Sequence, residues 1–92
     1  MKPYEWNQEK NNWLKDKRGV SFEDAVTAIQ NENLLAIIPH YKKELYPKQK
    51  IFIVNIRSYA YMVPFVEDEE KVFLKTIFPS RKATKKYLLG GA

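Results

Sequence analysis

Apolar positions along the chain come in two rhythms. Phe22, Ala25, Val26 and Ile29 recur at i, i+3, i+4 and i+7, which predicts one buried stripe on a helix over Ser21–Gln30. Ser21 opens that helix, and Asp24 three residues on makes a capping box with Asp in the Glu position. The helix ends near Asn31-Glu32-Asn33. An earlier helix is expected from about Gln8 to Lys17, capped by Asn7 and stopped by Gly19. Its apolar content is only Trp13 and Leu14, so it is expected on the surface, anchored by tryptophan.

The other rhythm is that of strands. Tyr4-Glu5-Trp6 alternates and is short, Leu34 to Ile38 is an apolar run ended by Pro39, and Ile51 to Ile56 is strongly β-prone. Tyr59 to Val66 follows, with Pro64 inside it; proline cannot donate to a ladder, so an edge position or a bulge is expected there. Glu67-Asp68-Glu69-Glu70 is a hairpin turn by charge, its acids a solvated tip, and Val72 to Phe78 is the last strand. After a Pro79-Ser80 joint, a short helix runs toward Leu89 and is stopped by Gly90-Gly91, with Gly90–Ala92 expected to fray. The order β-α-α-β-β-β-β-α predicts one α+β domain over residues 1–92: an antiparallel sheet against two N-terminal helices, plus a short C-terminal helix.

Ninety-two residues allow a small core, and the absence of cysteine removes disulfides and thiolate metal sites, so a cytoplasmic protein is the default expectation. Neither a signal-peptide core nor an apolar run of membrane-spanning length is present, so no membrane partner is expected. The net charge of +5 matters less than its distribution. Residues 1–38 are near balance; residues 39–57 hold Lys42, Lys43, Lys48, Lys50 and Arg57 against Glu44 alone. Residues 58–70 hold only acids, and residues 71–92 hold six basic side chains and no acid. Folding can bring the two basic blocks onto one face, for which a polyanion such as nucleic acid is the natural partner. Six tyrosines, five phenylalanines and two tryptophans can fill a core or stack on bases.

The stretch richest in candidate chemistry is Ser80-Arg81-Lys82-Ala83-Thr84-Lys85-Lys86-Tyr87. Ser80 is a plausible N-cap, which puts Arg81 and Lys82 in the first turn, where the dipole disfavours cations unless an anion completes the site. Ala83 and Tyr87 are expected to share the docking face, leaving Lys85 and Lys86 to solvent. The alternative is a solvated basic helix. His40, the single histidine, is expected at the surface without the neighbours that nucleophilic or metal chemistry requires, and no cofactor or metal site is indicated.

Three stretches together resemble the BrnT family of small toxins from bacterial toxin–antitoxin modules, within the RelE-like ribonuclease fold. Tyr4-Glu5-Trp6-Asn7-Gln8-Glu9-Lys10 is similar to the family's F-E-W-D-x-x-K opening. Lys15-Asp16-Lys17-Arg18-Gly19-Val20-Ser21-Phe22-Glu23-Asp24-Ala25 is similar to N-x-x-K-H-G-V-S-F-E-E-A, and Ser80-Arg81-Lys82-Ala83-Thr84 to the closing R-K-A-T. Between them, His40–Gln49 and Arg57-Ser58 do not follow the family pattern.

The resemblance implies a ribonuclease toxin that inhibits translation, cleaving RNA without metal by attack of the ribose 2′-hydroxyl on its own phosphate. Arg81 suits a bidentate grip on that phosphate, with Lys50, Arg57 and Tyr87 as further catalytic candidates. Lys42, Lys43, Lys48, Lys82, Lys85 and Lys86 are the RNA-binding candidates. For Lys50 and Arg57 the alternative is a solvated strand-end charge, and for Tyr87 helix packing. The implied partner is a cognate antitoxin, usually a ribbon-helix-helix protein, through which the complex would bind operator DNA. Two other classes stay open: a non-catalytic binding module for nucleic acid or antitoxin, and a ParE-like toxin that blocks a protein target.

Overall fold

A computed structural model describes residues 2–90. The chain runs β1 (Tyr4–Glu5), α1 (Gln8–Arg18), α2 (Phe22–Gln30), β2 (Leu34–Pro39), β3 (Lys50–Ile56), β4 (Tyr59–Glu67), β5 (Val72–Leu74), β6 (Phe78–Pro79) and α3 (Arg81–Tyr87). The expected fraying falls largely on Gly91 and Ala92, outside the described residues.

The α+β architecture is as expected, but the sheet is mixed rather than antiparallel. Its order is β1-β5-β4-β3-β2, with β6 also on β4, and β1 runs parallel to β5. A two-residue strand carries no directional signal of its own. Its direction follows from what comes next: Trp6 stacks on Phe22 with ring centroids 5.6 Å apart, and Asn7 caps α1 by accepting from the Lys10 amide at 2.9 Å.

The last strand also differs from expectation: it breaks at residues 75–77 into β5 and β6. The cause lies across the sheet in Pro64. This residue sits in β4, opposite Ile51 of β3, so it is neither on an edge strand nor bulged. Its carbonyl accepts from the Lys75 amide at 2.8 Å. Carbonyl and nitrogen of one residue point to the same side of a strand, so the missing proline N–H faces the β5–β6 side and the ladder is interrupted there.

Alternation along β3 and β4 sorts the core into two faces. Phe52, Val54, Ile56, Val63 and Phe65 face α1 and α2 and join Leu14, Phe22, Ala25 and Ala28 in the main core. Ile51, Ile53 and Ala60 face the other way and meet Ala83 of α3. Helices therefore cover both faces, which is why Ile51–Val54 is apolar at every position.

The α2 stripe packs on the sheet: Phe22 and Ala25 are buried, and Val26 and Ile29 pack half-buried against the core. The capping box is present, with the Asp24 amide donating to Ser21 Oγ at 3.1 Å and the Ser21 amide to Asp24 Oδ2 at 3.0 Å. α1 is not anchored by tryptophan. Leu14 and Asn11 are fully buried, while Trp13 is 41% exposed, with Lys10 and Arg18 over its ring. Asn11 joins the two helices, because its amide donates to Glu23 Oε1 and its carbonyl accepts from the Phe22 amide, both at 2.7 Å.

Candidate nucleic-acid interface

A buried threonine ties the C-terminal helix to the sheet. Thr84 Oγ1 accepts from the buried Ala60 amide at 2.9 Å and donates to the Ser80 carbonyl at 2.8 Å. With the Ser80 amide donating to the Ala60 carbonyl at 2.9 Å, these bonds continue the β4–β6 pairing into the first turn of α3. Ser80 is the N-cap, its hydroxyl accepting from the Ala83 amide at 3.0 Å. That bond fills part of the anion cradle expected at this helix start, and a seven-residue helix has a weak dipole. What α3 offers a phosphate is its side chains. Arg81 is exposed, and none of the hydrogen bonds or ion pairs among the described residues engages its guanidinium. Ala83 and Tyr87 pack against the second core cluster, as their spacing predicts.

Two adjoining hollows share Tyr41, and one of them lies beside α3. One, about 300 Å³, is floored by Ile53, Met62 and Ala83 and bordered by Tyr41, Tyr87, Lys82 and Lys86. The other, about 330 Å³, is bordered by His40, Tyr41, Tyr46, Lys42 and Lys75. Four lysines therefore line the pair, and no acid does. The two basic blocks of the sequence meet here, but only in part.

Not every candidate joins this face. Lys50 and Lys48 line a separate hollow of about 430 Å³ with Lys2, Glu67, Asp68 and Glu69, where opposite charges offset one another. Lys2 pairs with Glu67 at 2.8 Å. Lys50 shares its strand face with Phe52 and Val54, so it points to the side opposite α3. It also sits at the far end of β3: Ser80 is level with Ala60 and Asn55, five residues or about 17 Å from Lys50.

Arg57 lies not at a strand end but in the two-residue β3–β4 turn with Ser58, at φ 52° and 68°, the geometry of a type I′ turn. Its guanidinium donates to the Gly19 carbonyl at 2.7 Å and lies 3.8 Å from Asp24, so it is held on the α1–α2 side. Neither Lys50 nor Arg57 converges on Arg81. Arg81, Lys43 and Lys85 are exposed and border neither hollow.

The acidic turn is more than a solvated tip. Asp68 Oδ1 accepts from the Glu70 and Lys71 amides at 2.8 and 2.9 Å, which closes the turn and holds its carboxyl below the usual range. His40, expected at the surface, is only 8% exposed. Its Nδ1 accepts from the Lys42 amide, and its ring stacks on Tyr41 at 4.6 Å and leans on Tyr46 at 4.8 Å. Tyr41, Tyr46 and Lys75 border the hollows but were not among the residues that sequence reasoning singled out. The signal for the tyrosines was a loop rich in both lysine and tyrosine; Lys75 was visible only as one of the basic side chains after residue 70.

Among the described residues no three histidine, cysteine or carboxylate side chains cluster in a metal-binding arrangement, and no helix is long and apolar enough to cross a membrane. No family model matches the chain, no curated protein matches it, and no solved structure matches it.

Proposed function

We propose that this domain is a RelE-like, BrnT-type ribonuclease toxin that binds RNA across the two hollows flanking Tyr41. One observation carries the reading: Lys42, Lys75, Lys82 and Lys86 surround exposed aromatic rings with no acid among them. Such a surface attracts a polyanion and offers its bases a stacking platform. The sequence resemblance, carried by residues 4–10, 15–25 and 80–84 together, supplies the reaction. The ribose 2′-oxygen attacks the adjacent phosphorus, the bond to the 5′-oxygen breaks, and the leaving oxygen takes a proton as the attacking hydroxyl loses one. Arg81 grips the non-bridging oxygens, where a fixed fork outperforms a point charge. Tyr87, which borders the first hollow, is the candidate to carry a proton or to stack on a base. An antitoxin of ribbon-helix-helix type would neutralise the domain by covering this face and would bring the complex to operator DNA.

The test is cleavage of single-stranded RNA by the purified domain. Arg81→Ala should slow cleavage by about 10²–10³-fold without shifting Tm, and Arg81→Lys should recover only part of the rate. A folded Arg81→Ala that cuts at the wild-type rate overturns the assignment.

One observation favours a second reading. With Arg57 bound to Gly19 and Lys50 on the other face, the cations proposed for the reaction are not gathered around Arg81. A non-catalytic binding module uses the same lysine face without them. Salt-sensitive RNA binding with no cleavage by the wild-type domain would establish that alternative.

A further inference from the structure

We infer that the hollow between α3 and Tyr41 receives one unstacked nucleobase, which restricts the RNA recognised to single strands; this rests on the RNA reading above. Ile53, Met62 and Ala83 form an apolar floor, and Tyr41 and Tyr87 stand at its sides. A nucleobase has apolar faces and a polar rim. It gains by leaving water for such a floor and by stacking on an aromatic ring, whatever its identity. The volume of about 300 Å³ lies at the small end of the roughly 300–1,000 Å³ that small-molecule sites occupy. That is room enough for a base laid on the apolar floor. A duplex keeps its bases stacked and presents only edges and backbone, so it cannot lay a base face on this floor.

Charge decides between a base and an apolar side chain of a partner protein. Lys82 and Lys86 stand at the rim, and no acid borders the hollow. An apolar side chain has no use for two cations at its entrance, whereas a nucleotide brings a phosphate on either side of the base. The stacking ring is also held in advance. Tyr41 is 65% exposed, yet it lies flat on His40, with ring planes 21° apart. His40 is itself buried and fixed by the Lys42 amide on its Nδ1. An open aromatic ring on a rigid pedestal loses little freedom when a base stacks on it.

The experiment uses 2′-O-methyl oligonucleotides, which cannot undergo self-attack, in fluorescence anisotropy with the full chain. Three probes of matched charge are compared: a single strand, an abasic sugar-phosphate strand of the same length, and a duplex of half that length. The single strand should bind about tenfold or more tighter than the abasic strand, since stacking one base contributes on the order of a tenfold factor. Tyr41→Ala should abolish that ratio while leaving abasic affinity unchanged, and Tyr41→Phe should keep it. Tyr41 is a loop residue outside the core, so circular dichroism should show both variants folded. Equal binding of single and abasic strands, or a ratio unmoved by Tyr41→Ala, overturns the base site while the basic face stands. Duplex binding as tight as single-strand binding does the same. Absence of salt-sensitive binding to any probe overturns the site together with the RNA reading beneath it.

Discussion

The two faces of the sheet are built to different standards. The face under α1 and α2 is closed by thirteen buried residues among those described, from Leu14 and Phe22 to Leu74 and Ile77. The face under α3 has four, Ile51, Ile53, Ala60 and Ala83, and leaves Met62 and Tyr87 partly open beside the hollow. A helix of seven residues is far too short to persist alone, so α3 holds its shape only while docked. The closed face holds most of the buried core among the described residues, and the other leaves a surface with room for a ligand. A chain with a small core can cover one side of its sheet densely and leave the other for binding.

The sharpest way to break this comparison is at Phe22, fully buried at the centre of the closed face. Phe22→Ala should cost about 3–5 kcal/mol in chemical denaturation, because the cavity it leaves is walled by the sheet and by Trp6. A loss under about 1 kcal/mol would mean that this face is not the dominant core.

A smaller effect sharpens the contrast on the other side. Thr84→Val removes the acceptor for the buried Ala60 amide while keeping the shape. An orphaned buried amide costs about 1–3 kcal/mol. Because α3 is docked on a thin face, the loss should fall on local undocking: hydrogen exchange in α3 accelerates, while the global Tm moves little. Should Thr84→Val lower Tm as far as Phe22→Ala does, α3 belongs to the same cooperative unit and the two faces are not distinct in stability.

The smallest effect concerns pH at the closed face. The Asn11 amide on Glu23, aided by Lys15 nearby, holds the Glu23 carboxyl below its ordinary range. A carboxyl with a depressed folded pKa stabilises when ionised. Its contribution is complete above the unfolded value of about 4.3 and is lost as pH falls from there through the lower folded value. Glu23→Gln keeps an acceptor for Asn11 but cannot titrate. The stability gap between wild type and Glu23→Gln should therefore be flat from neutral pH to about 5 and shrink below about 4. A gap that widens on acidification would reverse the sign assigned to Glu23.

Much of this molecule was legible from local rules. The α2 stripe, the Ser21 capping box, the αL residue Gly19 after α1, and the Ser80 cap are each decided within one helical turn. Periodicity and hydrogen-bonding chemistry over a few residues suffice to place them. The same holds for the α+β class, since strand and helix rhythms separate cleanly along the chain, and for the shared packing face of Ala83 and Tyr87.

Other features were settled only by pairing across long sequence separations. The parallel direction of β1, the break at residues 75–77 opposite Pro64, and the burial of Leu14 rather than Trp13 depend on partners that no local window contains. Charge behaves likewise. The sequence places Lys42, Lys50, Arg57 and Arg81 in basic blocks, but strand parity sends Lys50 to the acidic turn. The β3–β4 turn hands Arg57 to Gly19, and Tyr41, stacked on His40, borders the hollow beside α3. A side chain's type is written in the sequence. The face it joins depends on register, since a shift of one residue along a strand turns its side chain to the other face.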